Sequence, residues 1–158
     1  NLPYNVGTAL LVKWMTAQKW KPWFSSLTLM FQKEVGMRIV AEPRSKAYGR
    51  LSVLCQYRAD VEILFDIPRQ AFIPPPKVTS SIVHITPRSE AVDAPKQKIL
   101  ERVVSAAFNQ RRKMLRASLK ALGTDPSPKL YAAGILETAR AEELSVEDFS
   151  KLALEYQS

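Results

Sequence analysis

The stretch Gln32-Lys33-Glu34-Val35-Gly36-Met37-Arg38-Ile39-Val40-Ala41-Glu42-Pro43-Arg44-Ser45-Lys46-Ala47-Tyr48-Gly49-Arg50-Leu51-Ser52-Val53 decides how the rest of the chain is read. It is entered from residues 26–32, a mostly apolar run of strand length, which predicts a strand central in a sheet. Residues 33–41 then take a helical pattern, with Val35, Ile39 and Val40 facing inward. Residues 42–50 are polar and carry turn chemistry in Pro43 and Gly49, so they read as a loop. Residues 51–58 read as a further helix in preference to a strand. Strand, helix, loop and helix in this order predict an α/β arrangement.

Downstream, residues 60–67 alternate as a strand does. Pro74, Pro75 and Pro76 fix three φ angles and remove three amide donors, so residues 68–77 are expected to form a stiff extended loop. Residues 78–86 read as another strand, paired antiparallel with the one before it at one edge of the sheet. Residues 89–95 form a linker between a first unit, 1–88, and a helical unit, 96–158. In the helical unit Ile99, Leu100, Val103, Val104, Ala107 and Phe108 make one apolar stripe. Met114, Leu115, Ser118, Leu119 and Leu122 make a second, after a break near Asn109–Arg111. Gly123 and Gly134 are placed to end helices, and Ser127-Pro128 to start one. Ser145-Val146-Glu147-Asp148 has the form of a capping box that opens a last helix. Upstream, residues 6–15 read as a short helix with Val6, Leu10, Leu11, Trp14 and Met15 on one side. Residues 16–25, with Trp20, Pro22 and Trp23, read as a loop. The first residues, which carry no methionine, look like the end of a buried strand, so an upstream part is expected.

Composition bounds the function. With 46% hydrophobic and 24% charged residues the 158-residue chain is a globular protein and not a disordered one. No apolar run has the length of a membrane span and no signal-peptide pattern is present, so no membrane partner is expected. The single cysteine, Cys55, excludes an intramolecular disulfide and a cysteine-based zinc cluster, and fits a reducing cytoplasm. The formal net charge of +8 favours a polyanionic partner. That charge is concentrated. Residues 96–120 hold 8 Lys/Arg against Glu101 alone, whereas residues 121–158 are net acidic.

The opening residues Asn1-Leu2-Pro3-Tyr4 permit a particular chemistry. The exocyclic amine of adenine is a poor nucleophile because its lone pair is delocalised into the ring. Two hydrogen-bond acceptors on its N–H groups bias the nitrogen towards tetrahedral geometry and free that pair. The Asn1 side-chain oxygen is one suitable acceptor and a rigid carbonyl beside proline is another. The Tyr4 ring can stack on the base and hold it in line with a methyl donor. As a bare tetrapeptide the string reads sooner as a strand end followed by a turn, with Tyr4 packing on the core.

Three stretches remove that ambiguity. Residues Gln32 to Val53 as quoted, Phe72-Ile73-Pro74-Pro75-Pro76-Lys77-Val78-Thr79-Ser80-Ser81, and Phe108-Asn109-Gln110-Arg111-Arg112-Lys113 closely resemble the small-subunit ribosomal RNA adenine dimethyltransferases. The resemblance covers essentially the whole chain, in order. Bacterial members of that family confer kasugamycin sensitivity. The resemblance implies the C-terminal half of a class I, Rossmann-like methyltransferase sheet with a small all-α domain after it, and S-adenosyl-L-methionine as donor. It implies dimethylation of two adjacent adenosines near the 3′ end of small-subunit rRNA, in an assembling subunit, by a monomeric cytoplasmic enzyme. Carried over by position, Asn1 touches both cofactor and target amine, Pro3 offers its carbonyl, Tyr4 stacks, and Phe72 stacks on the other face of the flipped adenine. The family's glycine-rich cofactor loop and its ribose-binding acid lie upstream of this motif. The glycines here, at 7, 36, 49, 123 and 134, do not supply that loop.

The basic segment supplies the expected RNA contact. Arg112, Arg116 and Lys120 are spaced i, i+4, i+8 and would line one helical face, with Lys113 adjacent and Arg111 at the break. Lys46, Arg50 and Lys77 either extend that surface or are ordinary solvated charge. His84 lacks Cys, Asp or Glu at ligand spacing and reads as structural, so no metal is expected. Cys55 reads as core, and Glu34 as site floor or surface charge. Trp14, Trp20 and Trp23 read as packing or base-stacking groups. Two other functions remain from the residues alone: a resistance-type methyltransferase of large-subunit rRNA, and a non-catalytic RNA-binding assembly factor. The Ser45-Lys46-Ala47-Tyr48-Gly49-Arg50 run and the triple proline favour the small-subunit enzymes, and Asn1, Tyr4 and Phe72 together argue against a decayed site.

Overall fold

The computed structural model describes residues 1–89 and 94–158. The central part of the expected linker, residues 90–93, lies outside the described residues. The chain runs through helix α1 (Tyr4–Met15), strand β1 (Leu27–Gln32), helices α2 (Lys33–Val40) and α3 (Arg50–Arg58), and strands β2 (Ala59–Ile67) and β3 (Ser80–Pro87). Helices α4 (Gln97–Asn109), α5 (Leu115–Ser118), α6 (Ser127–Ala132) and α7 (Val146–Glu155) follow. The helix chosen for residues 51–58 is α3, and the antiparallel pairing of the two adjacent strands is observed.

The sheet has the order β1-β3-β2, and both pairings are antiparallel. Among the described residues β3 lies between the other two strands, and β1 is paired on one side only. Burial alternates along β1. Leu27, Leu29 and Phe31 are buried, while Thr28 is exposed and Met30 only half-covered. β2 carries a bulge between Ile63 and Phe65, which leaves Leu64 and Phe65 exposed.

Residues 68–77 also differ from the expectation. They are not extended throughout: Arg69–Ala71 form a 3-10 turn closed by Ala71 N–H to Pro68 O at 3.0 Å, and the Ile73–Pro74 peptide is cis. The extended backbone resumes at Phe72.

The second apolar stripe of the helical part is not one helix. Met114 is extended and bridges Arg140, so α5 begins only at Leu115. After Ser118 the chain tightens into a 3-10 turn, Leu119–Leu122, and Gly123 ends it at φ 86°. The capping box at Ser145 is present: Ser145 Oγ accepts from Asp148 N–H at 3.0 Å and Asp148 Oδ2 accepts from Ser145 N–H at 3.0 Å.

Two apolar cores result. One joins α1, β1, α2 and the inner face of β3 through Leu11, Phe31, Ile39, Cys55, Val83 and Ile85. The other gathers Leu100, Val103, Val104, Leu119, Phe149 and Leu152 from the helical part, and takes in Tyr48 and Val53 from before the linker. Helix α3 thus serves both, with Cys55 in one core and Val53 in the other. Each fully buried side chain of this size contributes roughly 1.5–3 kcal/mol of transfer free energy.

Candidate functional site

Pro3 occupies the N-cap position of α1, and its carbonyl accepts the N–H of Gly7 at 2.9 Å and of Val6 at 3.2 Å. Both lone pairs of that oxygen are therefore engaged in the first helical turn. The Leu2 carbonyl, held just before the proline ring, makes no hydrogen bond among the described residues. Tyr4 opens the helix. Its hydroxyl is hydrogen-bonded to Ser80 Oγ on β3, and Ser80 is wholly buried. This bond fixes the direction of the ring from the far end of the phenol.

Phe72 follows the 3-10 turn, with its N–H donated to Arg69 O at 3.3 Å. Pro3, Tyr4, Met30, Phe72, Pro74 and Pro76 line one cavity of about 250 Å³. Three of the four residues expected to surround an adenine thus meet, although Tyr4 and Phe72 lie in separate elements. Asn1 is exposed beside them and is not part of that lining. The cavity walls are aromatic rings, proline rings and a thioether, which suits a flat heteroaromatic guest.

On β2, Asp66 takes Ser81 Oγ–H at 2.6 Å and Lys33 Nζ at 3.1 Å. The Ser81 hydroxyl, then the Lys33 ammonium, hold its carboxyl below the usual carboxylate range. Glu34, weighed as site floor, instead pairs with Arg38 one helical turn on, at 2.6 Å and in solvent.

The basic segment is arranged differently from a helical stripe. Arg111 and Arg112 lie in the turn after α4, with Lys113 at its end, Arg116 on α5, and Lys120 in the 3-10 turn. Arg111 is built into the fold: it donates to Tyr48 O at 2.7 Å and Ser45 O at 3.2 Å, and pairs with Glu142 at 3.1 Å. Arg116 pairs loosely with Glu137 at 3.5 Å. Arg112, Lys113 and Lys120 are exposed and have no acidic partner among the described residues.

The remaining candidates have local explanations. His84 Nδ1 bonds Thr28 Oγ1 across the sheet at 2.8 Å. Cys55 is buried, and burial pushes its thiol up to about 12. Trp20 donates its indole N–H to Arg88 O at 2.6 Å under the Arg58 guanidinium, while Trp23 is largely exposed. Among the described residues no helix is long and apolar enough to cross a membrane.

A family model described as ribosomal RNA adenine dimethylase matches residues 1–158, the whole chain. The chain belongs to the ribosomal RNA adenine dimethylase family. Among curated relatives, ribosomal RNA small subunit methyltransferase A of Azorhizobium caulinodans is 63% identical over 97% of this chain and 52% of that protein. The protein of the same name from Xanthobacter autotrophicus is 60% identical over 97% of this chain and 53% of that protein. The chain therefore spans about half the length of the curated relatives it matches. A solved dimethyladenosine transferase from Plasmodium falciparum superposes with a TM-score of 0.78 at 24% identity, over 99% of this chain and 64% of that one. The 23S rRNA methyltransferase ErmE gives 0.61 at 24% identity, over 98% and 62%. These likenesses show the fold: the α/β methyltransferase arrangement with trailing helices that the sequence predicts.

Within this dimethylase fold, sequence reasoning missed three participants. Met30 reaches the cavity because alternate residues of β1 face opposite sides, a pattern visible in the sequence once the run is read as a strand. Ser80 lies in the run after Phe72 quoted for the family, but its bond to Tyr4 spans 76 residues and leaves no local signal. The free Leu2 carbonyl follows from Pro3 being an N-cap, which a helix placed at residue 6 instead of 4 concealed.

Proposed function

We propose that this chain carries the base-holding and RNA-facing parts of an S-adenosyl-L-methionine-dependent enzyme that dimethylates the N6 amine of adenosines in small-subunit rRNA. The observation that carries the reading is the shared cavity of Pro3, Tyr4 and Phe72. An extruded adenine is sandwiched between Tyr4 and Phe72, as chemistry on a base within a folded nucleic acid requires. Its amine N–H groups are accepted by Asn1 Oδ1 and by the Leu2 carbonyl. Pro3 stiffens that carbonyl and uses its own oxygen to start α1. The Tyr4–Ser80 bond keeps the ring plane fixed, so little reorganisation is left to the moment of reaction.

Of the groups that would hold the methyl donor, this chain offers Asn1. Its five glycines are scattered and form no glycine-rich loop between a strand and a helix. When bound, the donor supplies an electrophilic methyl group on a sulfonium. The contribution of this chain is to bind, flip and aim the amine. Arg112, Lys113, Arg116 and Lys120 present the cationic surface for the phosphates around it, while Arg111 holds that segment against Tyr48 and Ser45. The enzyme acts in the cytoplasm, as a monomer on an assembling subunit. The names of the curated relatives favour small-subunit over large-subunit RNA.

The test is methylation of undermethylated small subunits by the complete gene product containing this chain, compared with its Asn1→Ala variant. Loss of one acceptor is expected to lower kcat about a hundredfold. Equal incorporation by both proteins would remove Asn1 from the site. No incorporation by the unaltered protein would favour a non-catalytic assembly factor.

A further inference from the structure

Beside the adenine pocket, of about 250 Å³, lies a larger cleft of about 580 Å³. It opens between the start of α2 and the 68–79 loop, and its lining includes Lys33, Met37, Arg69, Lys77 and Val78. Arg69 lies three residues before Phe72 and Lys77 five after it, so the loop that presents the adenine-stacking ring also presents two cations to this cleft.

The charge in the cleft is one-sided. Arg69 and Lys77 are exposed and have no carboxylate partner among the described residues. Lys33 is half-neutralised by Asp66. The one acid in the lining, Glu34, is occupied by Arg38. The same cleft exposes apolar side chains: Met37 is 47% and Val78 42% accessible. Cations around an apolar floor match a nucleotide, whose phosphate seeks the cations and whose base and ribose cover apolar carbon. The volume falls in the range of small-molecule sites.

We propose that this cleft seats the nucleotide next to the target adenosine on the RNA strand. Arg69 and Lys77, with Lys33 behind them, hold its phosphate. Met37 and Val78 support its ribose and base. This rests on the reading of Tyr4 and Phe72 as the adenine walls and adds a second subsite to it. Gripping the neighbour is what keeps the extruded adenosine from sliding back into its stack, so the subsite contributes to binding and register and not to the methyl transfer itself.

The experiment uses the complete protein containing this chain and compares it with an Arg69→Ala/Lys77→Ala variant. With undermethylated small subunits as substrate, KM is expected to rise about tenfold at physiological salt, with kcat within about threefold, because two phosphate contacts are lost and the reacting atoms are untouched. The slope of log affinity against log salt, measured with a short single-stranded RNA, is expected to shrink by about one to two. The charge-conserving variant Arg69→Lys/Lys77→Arg should recover most of the affinity, and Met37→Ser should weaken RNA binding without changing the salt slope. If the unaltered protein methylates RNA and the double alanine variant keeps both its KM and its salt slope, the cleft is not a nucleotide seat. If the unaltered protein does not methylate at all, the adenine-wall reading fails. The cleft is then decided by RNA affinity alone: unchanged binding in the double variant overturns it, and weakened binding with a smaller slope supports it.

Discussion

Arg111 and Arg112 are neighbours in a basic run, and the structure gives them different surroundings. The Arg111 guanidinium spans two carbonyls of the 45–48 loop and a carboxylate on the far side, so it ties that loop to Glu142. Its side chain is about a third exposed, so solvent screens part of the ion pair and the hydrogen bonds to carbonyl carry more of the effect. Arg112 faces water. We therefore expect Arg111→Ala to cost about 1–2 kcal/mol of stability in denaturant unfolding. Arg112→Ala should change stability by less than about 0.5 kcal/mol while weakening RNA binding in a salt-dependent way. Similar stability losses for both would show that Arg111 is not a structural tie. Sequence alone could not separate them, because residue type and spacing are the same for a phosphate ligand and for a carbonyl clamp.

At the scale of elements, local chemistry was legible and long-range chemistry was not. The Ser145 capping box involves residues three apart, and its residue types specify it. We expect Ser145→Ala to cost about 1 kcal/mol and to lower the melting temperature, with Ser145→Asp close to the unaltered chain. Equal losses for alanine and aspartate would mean that the cap contributes nothing. Gly123 and Gly134 are likewise read correctly as helix ends because both sit at positive φ, where other residues are strained. The break of the basic stripe is different. Met114 is extended because it bridges Arg140, and Leu115 N–H bonds Ala139 O at 2.8 Å. Nothing within a helical turn of Met114 announces those partners. The period i, i+4, i+8 was present, but the helix needed to make it a face was not.

At the scale of the whole molecule, Tyr48 is the joint. It lies in the loop before α3, is fully buried within the core of the helical part, and donates its hydroxyl to Leu144 O at 2.7 Å. Burial, then the nearby Asp148, raise its phenol well above the usual range, so it stays a donor. The ring also meets Phe108 edge-on with centroids 6.0 Å apart. With α3 feeding both cores, we expect this contact to couple their unfolding. We expect near-ultraviolet signals from Trp14 and Trp20, which pack on the first core, to be lost at the same denaturant concentration as the helical signal. In Tyr48→Ala the two transitions should separate. Coincident transitions in that variant would show that the cores are coupled elsewhere. The division of the sequence near residue 90 followed composition, whereas the packing follows Tyr48 and Val53 across it.

By itself the sequence determined most of the elements, the Ser145 cap, the glycine helix ends and the family. These depend on periodicity, local hydrogen bonding and a long ordered resemblance, all of which are written along the chain. Only the tertiary structure decided that Tyr4 and Phe72 share a cavity and that Ser80 aims the tyrosine. It alone showed that Pro3 spends its carbonyl on α1 and leaves Leu2 as the free acceptor, and that Arg111 serves the fold. Each of these is a contact between residues far apart in sequence, or a choice between two partners for one polar group. Such choices are made by packing, which one strand of letters does not contain.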